Sequence, residues 1–343
     1  MFAPRVPAIA ACAVVVAVSA SAVAGVSPTW TIAYDNPTGT QTTQLRAIAL
    51  ANTAGQSSIY TGFIQTSNNP PGRTVRRFDS QPAYGQLNEL GPGTSQPKAL
   101  ATDDRGNVFV GYRLSGTSAS EIHATNASMG TTFDVLNVGS PNVGGMGVHR
   151  VGNDYYAYVA YEGGGLVQRF NVTDPTNVVL DVGFGVGGSY TLPVGGGELR
   201  GVEVDSSGNL WVASRADGLI YRVSPDLSTV NSVAVPRAFD VAFFDGRAYV
   251  TSYNGASSLI RVLDEATMSF IDDITISEIG FARGSAEGYS GIDIGDDGRI
   301  WLADQSYGTS PVRDRLLVSS PIPAPGTLSL LGLAGLVAVR RRR

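Results

Sequence analysis

The sequence predicts an all-β protein in which six copies of one four-strand unit close into a ring, a six-bladed β-propeller. Three observations predict it. A hairpin-forming string recurs through residues 43 to 320. The copies are spaced by about 40 to 50 residues, the period of a four-stranded blade. No long amphipathic helical pattern interrupts them.

The elements follow in chain order. Arg5 supplies a small positive start, Ala8 to Val18 an apolar stretch, and Ala22-Val23-Ala24 a small-residue cleavage site. Residues 1–24 therefore read as a secretory signal peptide, cut between Ala24 and Gly25. Cys12 belongs to the apolar stretch. The body is assigned to residues 25–320. It starts with an alternating strand, Thr29-Trp-Thr-Ile-Ala-Tyr34, which is free to complete the last unit.

The clearest repeat is Gly201-Val-Glu-Val-Asp-Ser-Ser-Gly-Asn-Leu-Trp-Val-Ala213. Close copies are Ala99-Leu-Ala-Thr-Asp-Asp-Arg-Gly-Asn-Val-Phe-Val-Gly111 and Gly291-Ile-Asp-Ile-Gly-Asp-Asp-Gly-Arg-Ile-Trp-Leu-Ala303. Looser ones begin at Ala47, Gly147 and Asp240. Each reads as a short strand, an Asp/Gly/Asn turn and a second, more apolar strand. Third strands follow, such as Leu166 to Phe170, Leu219 to Ser224 and Leu259 to Leu263, and weaker fourth strands such as Thr229 to Val235. The sixth unit has no fourth strand after Arg315 to Ser319. Pairing that unit with the strand at Thr29 to Tyr34 closes the ring and removes its open edges. A solenoid would repeat at a shorter period, and an open sandwich would not repeat six times.

Residues 321–343 form a separate tail. Pro321-Ile322-Pro323-Ala324-Pro325 precedes an apolar run from Leu328 to Val339, and the chain ends on Arg340 to Arg343. The run is shorter than the roughly 20 residues of a full span. Its positive end nevertheless fits a membrane-retained segment with a cytoplasmic terminus. The tail resembles the PEP-CTERM sorting signal, with Pro323, Ala324 and Pro325 at the Pro-Glu-Pro triplet and Ala in place of the central Glu. That resemblance implies export, passage through the membrane by way of the tail, and processing by an exosortase-like transpeptidase. It also implies association with extracellular polysaccharide or envelope proteins.

The repeat string resembles the NHL and SMP-30-like propeller families over most of the body. Those families include binding modules, lactonases and lyases, so the resemblance implies a fold and leaves the activity open.

Composition narrows the partners. Once Arg5 and the four terminal arginines are removed, 19 basic residues face 29 acidic ones, a net charge of −10. An acidic body argues against nucleic acid or anionic lipid as a partner. Cys12 is the only cysteine, so no disulfide holds the body together. Lys98 is the only lysine.

Candidate site residues come from the strand that lines the channel of such a ring. Alternation puts every second residue on one face. The third residue of each string gives Ala49, Ala101, His149, Glu203, Ala242 and Asp293. One pleat earlier stand Ala47, Ala99, Gly147, Gly201, Asp240 and Gly291. His149, Glu203, Asp240 and Asp293 are thus the ligand-binding candidates. Three carboxylates and an imidazole suit a divalent cation such as Ca2+, held chiefly by Glu203 and Asp293, or a small polar ligand. A water-filled channel lined by polar residues explains the same set without any ligand.

No catalytic residue is assigned. His123 is expected on an exposed strand, the Asp-rich strings in hairpin turns, and Trp211 and Trp301 in the blade core. The aromatic strand Tyr155, Tyr156, Tyr158 and Tyr161 is also read as core. The leading functional reading is an exported, envelope-anchored binding or matrix-associated propeller. The competing ones are a metal-dependent envelope hydrolase or lactonase, and a structural matrix protein without a specific ligand.

Overall fold

The computed structural model describes residues 28–35, 43–53, 56–65, 74–80, 86–90, 95–114, 119–139, 142–193, 197–254, 258–275, 288–305 and 314–322. The signal peptide, the Ala24–Gly25 cleavage site and the Pro323, Ala324, Pro325 motif lie outside the described residues. Among the described residues no helix is long and apolar enough to cross a membrane.

Alternating apolar residues and Asp/Gly turns build six antiparallel sheets. Blade one holds β2 (Thr43–Thr53), β3 (Gln56–Gln65), β4 (Thr74–Asp79) and β5 (Gln86–Leu90). Blade two holds β6 (Gln96–Thr102), β7 (Val108–Arg113), β8 (Ser120–Thr125) and β9 (Thr132–Gly139). Blade three holds β10 (Val143–Val151), β11 (Asp154–Tyr161) and β12 (Leu166–Asn171). Its outer position is split between β13 (Val179–Leu180) and β14 (Ser189–Thr191), both paired with β12. Blade four runs β15 (Leu199–Val204), β16 (Leu210–Ser214), β17 (Leu219–Val223) and β18 (Val230–Ala234). Blade five runs β19 (Ala238–Phe244), β20 (Arg247–Ser252), β21 (Leu259–Asp264) and β22 (Phe270–Thr275).

Blade six contains β23 (Tyr289–Ile294), β24 (Ile300–Asp304) and β25 (Arg315–Ser319), and its fourth strand is β1 (Trp30–Asp35) from the other end of the chain. Trp30 pairs with Ser319 and Ile32 with Leu317. This is the closure expected from the sequence. The inner strands β2, β6, β10, β15, β19 and β23 each touch the next, and β23 touches β2.

The core lies between the blades. Trp211 and Ile220 pack against Val241 and Val250 between blades four and five. Leu45, Ile59 and Phe78 pack against Trp301 and Leu316 across the closing junction. Each such side chain, fully removed from water, contributes roughly 1.5–3 kcal/mol. Trp211 and Trp301 are core, as their repeated position implies. Tyr155, Tyr158 and Tyr161 are buried too. His123 is only partly exposed, because it stacks 4.6 Å from Tyr112 and pairs with Glu121 at 2.9 Å.

The Asp-rich strings are the hairpin turns. Asp205 Oδ1 accepts the amide N–H groups of Ser207 (3.0 Å) and Asn209 (2.8 Å). Its Oδ2 accepts the Asn209 amide and the Trp211 indole N–H, both at 2.8 Å. The turn is thereby tied to the core, and Gly208 takes the left-handed φ of 81° that closes it. Asp103 does the same for Arg105 and Asn107.

Candidate functional site

The inner strand of each blade has one edge with no strand beside it, so its amide groups need other partners. Two candidate acids supply them. Asp240 Oδ2 accepts the Ile292 amide of blade six at 3.1 Å, and Asp293 Oδ2 accepts the Leu50 amide of blade one at 2.7 Å. Their other oxygens accept the amides of the next residue in their own strand, Val241 at 3.0 Å and Ile294 at 2.7 Å. Glu203 accepts its own neighbour, Val204, at 3.3 Å. Ser290 adds a further stitch between blades six and one, donating to the Leu45 carbonyl at 2.5 Å.

Glu203, Asp240 and Asp293 line one cavity of about 320 Å³ in the channel, with Ala49, Ala101 and Thr102 among its walls. Water reaches all three, yet protein surrounds them. Burial pushes the Asp240 and Asp293 carboxyls up to about 7, although the amide hydrogen bonds pull the other way. Burial, reinforced by Asp293 and Asp240, pushes Glu203 well above the ordinary carboxylate range. Among the described residues no group of three His, Cys, Asp or Glu side chains is placed to hold a metal ion.

His149 does not join this set. In the β10–β11 register Gly147 stands opposite Tyr158, and it is Gly147 that occupies the position held by Glu203 in blade four. The turn at Gly152 lets this hairpin run one pleat longer than its neighbours. His149 therefore falls level with Asp205, whose charge acts on it, though burial dominates and lowers its pKa. The sequence alignment, anchored on a Gly-Val pair, is two residues out in this blade. The glycines there serve close approach. A Cβ on Gly147 would sit 2.6 Å from Glu203 Oε2, and one on Gly145 would sit 1.8 Å from the Arg200 carbonyl oxygen.

The opposite mouth, where the inner strands begin, holds a group that strand alternation alone does not reveal. In all six blades the first strand pair slips register at the same place, at Leu45/Ala47, Pro97/Ala99, Val143/Gly145, Leu199/Val202, Ala238/Val241 and Tyr289/Gly291. Such a bulge re-aims the extra side chain. The bulged residues include Arg46, Lys98, Arg200 and Phe239. A basic residue directly before the repeat string in three of six copies, in an acidic chain with one lysine, is the signal that marks them.

Arg200 pairs with both Glu162 and Glu198, and Arg215 reaches Glu198 at 2.8 Å. Lys98 Nζ stands 3.5 Å from Glu162 Oε1. Arg46 and Arg200 lie over the Phe239 ring, at 6.0 and 5.3 Å. Burial, then the Arg46 charge, lowers Lys98 to about 7. Burial pushes Glu162 up, but Arg200, Lys98 and Arg46 outweigh it and hold the carboxyl below its ordinary range.

No protein-family model and no curated protein matches the chain. Solved structures do resemble its fold. A protein of unknown function from Bacteroides caccae superposes with a TM-score of 0.52 at 12% identity, over 68% of this chain and 79% of that one. A chain of a nidogen/laminin complex gives 0.53 at 15%, over 72% and 83%. A catalytically inactive virginiamycin B lyase from Staphylococcus aureus, solved with quinupristin, gives 0.50 at 12%, over 84% and 99%. At these identities the likeness is one of fold.

Proposed function

We propose that the chain is an exported propeller, held at the cell envelope through its tail, that works as a binding or matrix-associated surface protein. The observation that carries this reading is the use made of the channel acids. Asp240 and Asp293 spend their oxygens on the backbone amides of adjoining strands. They act as fasteners of the ring, which speaks against the hydrolase reading built on a cation at Glu203 and Asp293. Among the described residues the six blades take their strands from residues 30–319.

The partners follow from the tail's resemblance: an exosortase-like transpeptidase for processing, and extracellular polysaccharide or envelope proteins for binding. The test is fractionation of the native cells with terminal peptide mapping of the recovered protein. The expected product is an envelope or extracellular species starting at Gly25 and lacking Arg340 to Arg343. An intact polypeptide from Met1 to Arg343 in the cytosol would refute export and processing together.

A further inference from the structure

We propose that the channel cavity is a binding site for a small alkylammonium ion, whose charged head meets Glu203 and whose apolar body lies against the wall formed by blades one to three. The proposal rests on the reading of the propeller as a binding module and names the chemical class of its ligand. It is independent of export and tail processing.

The cavity itself is the first argument. Its volume of about 320 Å³ falls at the lower end of the range for small-molecule sites, roughly 300–1,000 Å³. It lies where the inner strands finish, since Leu50, Thr102, Phe243 and Asp293 sit at or near the ends of β2, β6, β19 and β23. These four residues are part-exposed, so the cavity is reached from solvent.

Its lining is the second. Among the described residues, all three ionisable side chains of the wall come from one half of the ring: Glu203 from blade four, Asp240 from blade five and Asp293 from blade six. The facing half offers Leu50, Leu100, Met146 and Val148, with Thr102 as its one polar side chain. The Thr102 hydroxyl already donates to the Leu50 carbonyl. A bare metal ion needs a shell of oxygen ligands and gains nothing from an apolar wall. An amine with a short apolar body matches both halves.

An unused acceptor is the third. Asp240 and Asp293 each turn both oxygens to backbone amides. Glu203 does not. Its Oε1 accepts only the Val204 amide, at 3.3 Å, and its Oε2 has no donor among the described residues. That oxygen lies over Gly147 of blade three, where a Cβ would come within 2.6 Å of it. A carboxylate enclosed by protein without a counter-charge is costly, so the group keeps its proton instead. Burial, then Asp293 and Asp240, hold the Glu203 carboxyl well above its ordinary range against the pull of the Val204 amide. An ammonium head supplies the missing counter-charge, donates its N–H groups to Glu203 and leaves Asp240 and Asp293 on their amides.

Calorimetric titration of the full chain with n-butylamine, 1-butanol and matched sodium chloride, at pH 6 and pH 8.5, tests this. Butylamine is charged at both, as a lysine side chain would be. The groups facing Glu203 are Asp293 and Asp240, and Asp296 acts on Asp293. Blades one to three add no ionisable side chain to the described wall. Asp240 and Asp293 lose their protons at about 7, so they strengthen the attraction in the same direction as Glu203. A ligand that displaces a proton gains about tenfold per pH unit below the carboxyl's pKa, so butylamine affinity should rise at least tenfold from pH 6 to pH 8.5. At pH 8.5 1-butanol should bind at least tenfold more weakly. Glu203→Gln keeps the shape and should weaken butylamine binding at least tenfold. Ala101→Leu, which fills the cavity from blade two without touching its charge, should do the same and serves should the first variant fail to fold. Asp272→Asn, exposed on the outer strand of blade five, should leave binding unchanged. Equal binding of amine and alcohol, an affinity that does not rise with pH, or undiminished binding in both cavity variants overturns the proposal. So does the absence of butylamine binding beyond sodium chloride, a result that leaves the surface-protein reading to its own fractionation test.

Discussion

Replacing Asp240 with Asn should stabilise the protein at alkaline pH and weaken it slightly at acid pH. In the unfolded chain Asp240 titrates near 3.8, whereas in the folded channel burial holds it at about 7. Between those values the unfolded chain sheds a proton that the folded chain keeps. Stability therefore falls as pH rises through this window, and the loss is complete above about 7. A shift of roughly three units corresponds to about 4 kcal/mol at most, reduced to the extent that channel water screens the charge.

Asn removes that penalty but surrenders one of two amide hydrogen bonds, since only one of its terminal atoms can accept. Losing the bond to Val241 or to Ile292 costs about 1 kcal/mol. The expected balance is a gain of up to about 3 kcal/mol near pH 8.5 and a loss of about 1 kcal/mol near pH 4. Denaturant unfolding of the full chain, followed by tryptophan fluorescence at both pH values, reads the difference. Asp240→Asn that is less stable than the parent at pH 8.5, or that differs from it equally at both pH values, would refute the argument.

Two further changes probe how the ring is fastened. Asp205→Ala removes the acceptor of the Trp211 indole and of two turn amides at a buried site, and should cost roughly 3 kcal/mol in the same unfolding assay; a cost under about 0.5 kcal/mol would show that the turn holds itself. Gly145→Ala places a methyl group 1.8 Å from the Arg200 carbonyl, against backbone that cannot step aside. It should destabilise by several kcal/mol or prevent folding, and a near-normal melting temperature would show that the inner strands of blades three and four can separate.

The blades were legible because their signals are local. Alternation, an Asp-x-x-Gly-Asn turn and an apolar second strand are all written within thirteen residues, as in Gly201 to Ala213. Closure by Thr29 to Tyr34 was legible as well, because one unit lacked a strand and one strand lacked a unit. Glu203, Asp240 and Asp293 line one cavity in the channel. Their engagement with backbone amides was not legible, since it depends on how near the next blade stands.

His149 was misplaced because Gly147-Val148 imitates Gly201-Val202, while the turn that sets the register lies further on, at Gly152. The split outer position of blade three, at Val179–Leu180 and Ser189–Thr191, had no period to announce it. The basic mouth escaped for another reason. Alternation assumes an unbroken strand, and the bulge at Arg46, Lys98 and Arg200 breaks it before the repeat string begins.

The most direct test of the central claim, that the channel acids fasten the ring, is a crystal structure of the full chain grown with Ca2+. The account expects Asp240 and Asp293 still bonded to the Ile292 and Leu50 amides. A calcium ion seated among Glu203, Asp240 and Asp293 in place of those bonds would contradict it.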